Sequence, residues 1–186
     1  IADGVRWAAR APGARVAVNI SARDLADPRL TERVHAMLRQ HALPPRSLTL
    51  EVTENALATT REAAARLSAL RTTGVRIALD DFGTGFAPLS TLRSLPVDEI
   101  KIDRQFVGRM LDDEKSRGIV RSIIQLGREL RLTVVAEGVE NEQTIAILRD
   151  SGCQLAQGFG ISHPLAFDDI LSFQQFGKMR QLRGMV

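Results

Sequence analysis

Four carboxylates, an amide and a lysine stand where this chain could build chemistry. They are Glu51, Asp80, Asp81, Glu137, Asn19 and Lys101. Four carboxylates brought to one place repel one another unless a cation sits among them. Ligation by oxygen alone, with no suitably spaced His or Cys, points to Mg²⁺ or Mn²⁺, allows Ca²⁺, and points away from Zn²⁺. A carboxylate shared by two ions builds the two-metal arrangement used for phosphodiester cleavage. Asp80 and Asp81 are chain neighbours. In a regular strand they face opposite ways, so the strand must end or twist there for both to serve one site. Gly83 and Gly85 supply a break just beyond them. Of 25 basic residues only Lys101, Lys115 and Lys178 are lysine. A lysine amid the carboxylates would orient an attacking water or neutralise charge building on a phosphate.

The elements that must position these groups follow from hydrophobic patterning. Short apolar, β-branched runs alternate with helical patterns. The runs are 15–19, 47–51, 75–80, 99–103, 132–137 and 153–157, and 1–10 read as the end of a helix. Helices are expected over 28–41, from a Thr59/Glu62 capping box to Gly74, near 89–93, and over 113–130, 142–150 and 167–176. Strict alternation argues for a parallel α/β fold, and both a doubly wound sheet and an eight-stranded barrel satisfy it. The strand ends separate the two. Asn19, Glu51, Asp80, Lys101, Glu137 and Gln157 all close a run. An open sheet makes only a few strand ends functional, at its switch point. A barrel brings all of them to one mouth. The expectation is therefore a TIM-like (β/α)8 barrel with about six strands present. A whole barrel takes about 250 residues, so roughly two βα units are expected either upstream of residue 1 or to be absent.

The bulk numbers restrict the alternatives. The 186 residues are 44% hydrophobic and 25% charged, as one globular domain requires. No apolar run is long enough to cross a bilayer, and no secretory leader is evident. The chain begins with Ile, which suggests a piece of a longer protein. Cys153 is the one cysteine, so no internal disulfide forms, and a cytoplasmic setting is expected. The net charge of +3 comes from arginines interleaved with acids, as at Arg61–Glu62 and Arg128–Glu129. They read as solvated helix faces rather than a nucleic-acid footprint, while still favouring an anionic ligand. His35 and His41 read as helix-surface residues, Trp7 as packing, and Cys153 as buried. His163 stands where it could line a pocket. The basic tail, 179–186, is set apart from a domain over 1–178.

Six segments together resemble one family. Val18-Asn19-Ile20-Ser21, Glu51-Val52-Thr53-Glu54, Asp80-Asp81-Phe82-Gly83-Thr84-Gly85, Lys101-Ile102-Asp103, Glu137-Gly138-Val139-Glu140 and Gln157-Gly158-Phe159 resemble, in order, the signatures of EAL domains. Asp-Phe-Gly also occurs in protein kinases, but a kinase glycine loop and His-Arg-Asp loop are missing here. The resemblance implies a metal-dependent hydrolase that opens cyclic di-GMP to linear pGpG in bacterial second-messenger signalling. It implies that Asn19, Glu51 and Asp80 hold a first Mg²⁺ or Mn²⁺, and that Asp80, Asp81 and Glu137 serve a second. It gives Lys101 the attacking water, and Gln157 and Asp103 the substrate. It makes Glu54, Gly83, Thr84, Gly85 and Glu140 supports, with Glu54 bracing the loop over 82–89, a region tied to homodimer contacts in the family. Neighbouring sensory or GGDEF modules are implied for the longer protein.

Two departures accompany the resemblance. Glu-Ala-Leu itself is absent, and its glutamate is a metal ligand in the family. Ala87-Pro88 replaces the usual pair of serines. The expectation is an active parent protein, with weak or no turnover for residues 1–186 alone. The alternatives are an EAL module that binds cyclic di-GMP or a protein partner without cleaving it, and a barrel enzyme of other chemistry.

Overall fold

The computed structural model describes residues 1–11, 13–57, 61–85, 92–167 and 169–170. The expected helices over 89–93 and 167–176, the Thr59 cap, Ala87-Pro88 and the 179–186 tail fall wholly or partly outside them. The chain divides into two compact units. One comprises residues 1–80 and 85–98, and the other comprises 81–84 and the residues from Glu99 onward.

In the first unit α1 (Ala2–Arg10) leads into β1 (Val16–Asn19), followed by α2 (Ala22–Ala26) and α3 (Leu30–Gln40). Next come β2 (Leu48–Thr53), α4 (Glu54–Leu57), α5 (Arg61–Thr72) and β3 (Arg76–Phe82), whose last two residues belong to the second unit. Local chemistry sets the boundaries. Ser21 and Asp24 form a reciprocal capping box that opens α2. Helix α3 buries Leu30, Val34 and Leu38, one apolar stripe at four-residue spacing. It stops at Gln40, ahead of Ala42 in the left-handed region and the Pro44-Pro45 pair.

Strands β1 and β2 run parallel with Asn19 opposite Glu51, and β2 pairs β3 with Glu51 opposite Ala78 and Thr53 opposite Asp80. Register partners share a face, and alternate residues point the same way. One face therefore carries Leu48, Leu50, Val52, Ile77 and Leu79, each no more than 1% exposed. Burying such a side chain contributes about 1.5–3 kcal/mol. The opposite face carries Thr49, Glu51, Thr53, Ala78 and Asp80, with Asn19 at its edge. Asp98 fastens the start of β3, accepting from the Ile77 N–H at 3.0 Å and pairing with Arg71 at 2.8 Å.

The second unit continues with β4 (Glu99–Ile102), α6 (Arg104–Val107) and α7 (Glu114–Leu130). It then adds β5 (Thr133–Ala136), α8 (Glu142–Asp150) and β6 (Leu155–Ala156). Asp113 caps α7 by accepting from the Lys115 and Ser116 amides, and the buried stripe Val120, Ile123, Ile124 and Gly127 fixes its inner face. Arg131 adopts the left-handed conformation that ends the helix. Strands β4 and β5 pair in parallel with Lys101 opposite Val135, and β5 pairs β6 with Val135 opposite Leu155. The same alternation puts Lys101, Glu137 and Gln157 on one face, away from buried Ile100, Ile102, Val134 and Ala136.

The element order expected from patterning is present, with shifted edges. The helix expected from residue 28 begins at Leu30, and the sixth run, expected over 153–157, pairs only at Leu155–Ala156. The short helices α2, α4 and α6 were not expected. No described helix is long and apolar enough to cross a membrane.

Candidate active site

In the first unit, Asn19, Glu51 and Asp80 occupy the C-terminal part of one sheet face. Asn19 is exposed, Glu51 half-buried and Asp80 buried. Glu54 opens α4 one residue past β2 and is also buried. A Cβ placed on Gly85 would collide with its carboxylate, so the backbone at Gly85 packs directly on Glu54. Burial pushes the Glu54 carboxyl above its ordinary value, against the opposing pull of the Gly85 amide hydrogen bond. Its Oε2 is buried and lacks a hydrogen-bond partner.

In the second unit Asp81 takes φ of 54°. A non-glycine residue held there marks local strain, which aspartate tolerates better than most. The turn is fastened behind it, where the Thr84 amide and hydroxyl both donate to the Asp81 carbonyl, at 3.3 and 2.8 Å. Gly83, at φ of 97°, lets the chain pass close to Phe106. The expected break after Asp80 is thus a left-handed twist at Asp81 itself.

This twist brings a carboxylate oxygen of Asp81 within 4.8 Å of one on Glu137. Glu137 Oε1 is gripped from two sides. Lys101 Nζ lies 2.7 Å away as an ion pair, and Gln157 Nε2 donates at 2.6 Å. Lys101 is buried to 4% exposure, in a strand whose neighbours are apolar. The Glu137 amide donates to the Ile102 carbonyl and the Gln157 amide to the Ala136 carbonyl, so the three strand ends are hydrogen-bonded in order. Asp103 caps α6 by accepting from the Gln105 amide at 2.7 Å. Glu140 is exposed.

The remaining residues singled out from the sequence sit as follows. His35 is half-buried, its Nε2 2.8 Å from Thr73 Oγ1, which makes it more than a solvated surface residue. His163 stacks on Phe159 with ring centroids 4.6 Å apart. Trp7 is half-buried. Cys153 is buried, and desolvation pushes its thiol up to about 11. Sequence reasoning missed the grip of Gln157 on Glu137. The signal available was that both close neighbouring parallel strands on one face.

The EAL domain family matches residues 1–164. This chain belongs to the EAL domain family. It is 39% identical over 175 residues to the cyclic di-GMP phosphodiesterase NbdA of Pseudomonas aeruginosa, covering 92% of this chain and 22% of that protein. The crystal structure of the EAL domain of Mycobacterium smegmatis DcpA superposes with a TM-score of 0.87 at 36% identity, covering 95% of this chain and 80% of that one. The manganese and cy-diGMP complex of Klebsiella pneumoniae BlrP1 gives a TM-score of 0.82 at 33% identity, over 88% and 43% of the two chains. The α/β fold, with six strands among the described residues, is that of the EAL TIM barrels. The chain spans 20% to 24% of the length of the first curated relatives it matches.

Proposed function

We propose that this EAL domain hydrolyses cyclic di-GMP to linear pGpG with two divalent ions, Mg²⁺ or Mn²⁺. The observation that carries the reading is Glu137 Oε1, held at 2.7 Å by Lys101 and at 2.6 Å by Gln157, with an Asp81 oxygen within 4.8 Å of a Glu137 oxygen. The donor set fits a hard cation, since it offers oxygens without His or Cys. Asn19, Glu51 and Asp80 would hold one ion, and Asp80, Asp81 and Glu137 would serve the other. Bound there, the ions would polarise the phosphodiester and lower the pKa of water.

The chain's own groups supply the rest. Lys101 orients the attacking water and balances charge developing on the phosphate. Gln157 fixes the rotamer of Glu137, which leaves the carboxylate aimed rather than free to turn. Gln157 and Asp103, on the Lys101 side, meet the nucleotide. The turn through Gly83 and Thr84 holds Asp81 in its left-handed conformation, Glu54 braces Gly85, and Glu140 would act as a further support. Water adds to phosphorus, the 3′ oxygen leaves with a proton, and the ring opens to pGpG. Within a longer protein the same proposal includes a cytoplasmic location, a homodimer, and sensory or GGDEF segments as regulators.

Incubating the longer protein, with the segment upstream of residue 1 supplied, with cyclic di-GMP and Mn²⁺ or Mg²⁺ tests this, residues 1–186 alone being expected to show weak or no turnover. The expected product is pGpG, with turnover lost in Glu51→Ala and Lys101→Ala. Tight Mn²⁺ and cyclic di-GMP binding without any product would refute hydrolysis and leave the non-cleaving binding module.

A further inference from the structure

We infer that the first unit carries a basic face at the end opposite its carboxylates, and that this face rests on a bilayer containing anionic lipid such as phosphatidylglycerol. The inference goes beyond the hydrolase reading and does not depend on it. Chain direction creates the face. In a parallel sheet all strands start at one end, and the helices that cross back finish there. Residues 10–16, 39–48 and 71–76 are those connections in the first unit, and Asp98 fastens residues 93–98 beside the start of β3. Together these residues hold seven arginines against one acid, Asp98. The other end of the same strands carries Glu51, Glu54 and Asp80. Arginines that alternate with acids along the chain are thus sorted in space by the fold.

The connections lie side by side. Val16 pairs with Leu48 and Thr49 with Arg76, so Arg15, Arg46 and Arg76 stand at or just before the starts of three adjacent strands. Adjacent strands are about 4.8 Å apart. A Cβ on Gly74 would lie 3.5 Å from the Pro45 side chain, which sets the turn before β3 against the turn before β2. Thr73 Oγ1 meets His35 Nε2 at 2.8 Å, tying the end of α5 to α3. Spacing of this order falls within the Debye length of about 8 Å, so the charges act together on an anionic plane. Arg15, Arg39 and Arg46 are exposed, and their guanidinium groups neither hydrogen-bond nor pair with an acid among the described residues. An arginine that serves only to close a helix would donate to the last carbonyls, which Arg39 in the last turn of α3 does not do among those residues.

The make-up of the face selects a lipid surface. It is built of short turns rather than of a helix that could enter a DNA groove. The same residues include no Phe, Trp or Tyr, so single-stranded nucleic acid finds no stacking platform. Leu43, Pro44, Leu95 and Pro96 are half-buried or exposed between the arginines, a mixture that suits the headgroup boundary of a bilayer. Resting on this face turns the carboxylate end toward water, from which a soluble anionic substrate arrives.

Cosedimentation tests this, with phosphatidylcholine vesicles that contain either about one-quarter phosphatidylglycerol or none, at about 0.1 M salt. The unaltered chain should bind only the anionic vesicles. Each basic residue near such a surface strengthens partitioning about 5-fold, so Arg15→Gln, Arg39→Gln and Arg46→Gln combined should weaken it about 100-fold. Arg109→Gln, Lys115→Gln and Arg121→Gln combined remove the same charge from the second unit and should weaken it less than about 3-fold. Circular dichroism confirms folding, and the single variants Arg39→Gln and Arg46→Gln should each weaken binding about 5-fold. Equal binding to both vesicles, or binding to neither, overturns the inference. So does an equal loss in the two triple variants, which would reduce the attraction to net charge, or no loss in the first. Tighter binding of poly(U) or duplex DNA than of anionic vesicles, lost in the first triple variant, would make the face a nucleic-acid site and overturns it as well.

Discussion

Replacing Lys101 with methionine isolates the ion pair at the centre of the second unit. The two chains are unbranched and similar in length, so the substitution removes the charge while keeping most of the packing. Lys101 Nζ and Glu137 Oε1 are 2.7 Å apart, and the side chains are 6% and 16% exposed. Removing one partner of a fully buried pair costs about 3–5 kcal/mol, because the other charge is stranded. Glu137 keeps the Gln157 hydrogen bond at 2.6 Å and some solvent, which places the cost below that range, at about 2 kcal/mol. Glu137→Gln alone should also destabilise, by removing the negative charge that the ammonium meets at 2.7 Å. The double variant should recover much of the loss, giving a coupling of about 2 kcal/mol in the double-mutant cycle. Urea unfolding followed by circular dichroism measures all four proteins, with midpoints compared at equal slope. Lys101→Met within about 0.5 kcal/mol of the unaltered chain, or additive single effects, would refute the assignment of a stabilising buried pair.

Other expectations concern groups outside that pair. Burial raises the Glu54 carboxyl above its ordinary 4.5, so the folded state holds the proton more tightly than the unfolded chain. Stability from Glu54 is therefore full below 4.5 and is lost as pH rises through the higher folded value. Glu54→Gln should gain on the unaltered chain across that rise in parallel urea titrations, and a constant difference at all pH values would contradict it. A Cβ at Gly127 would run into Val134 in the adjoining strand. Overpacking of about 1–3 kcal/mol should outweigh the helix-propensity gain of about 1 kcal/mol, so Gly127→Ala should lower the thermal midpoint. Cys153, its thiol held up to about 11, should be roughly one-thousandth thiolate at pH 8. Iodoacetamide should label it only after unfolding, and fast labelling of folded protein would show the thiol to be accessible.

The strands were legible because a parallel sheet packed on both sides writes short β-branched runs into the chain. Asn19, Glu51, Asp80, Lys101, Glu137 and Gln157 stood out for a related reason, each being a polar residue at or near the end of such a run. Asp81 announced itself through the parity problem that its left-handed φ resolves. The pairings among side chains were not legible. That Gln157 holds Glu137, and that Asp103 caps α6, depends on parallel stagger and local turn geometry that residue types do not encode. Helices α2, α4 and α6 are four or five residues long, too short for a 3.6-residue period to emerge. Ser21 and Asp24 still carried a capping-box signal that the broader pattern overshadowed. The sixth strand was overextended by two residues at its start and one at its end, because the ladder pairs only Leu155 with Val135 and Ala156 with Ala136.

Anomalous diffraction at the manganese edge, from crystals grown with Mn²⁺ and cyclic di-GMP, addresses the proposed centre most directly. Two peaks are predicted beside the phosphodiester, one within about 2.2 Å of oxygens of Glu51 and Asp80, and one at a similar distance from Asp81. Manganese bound elsewhere, with Glu51, Asp80 and Asp81 uncoordinated around a bound nucleotide, would contradict the account.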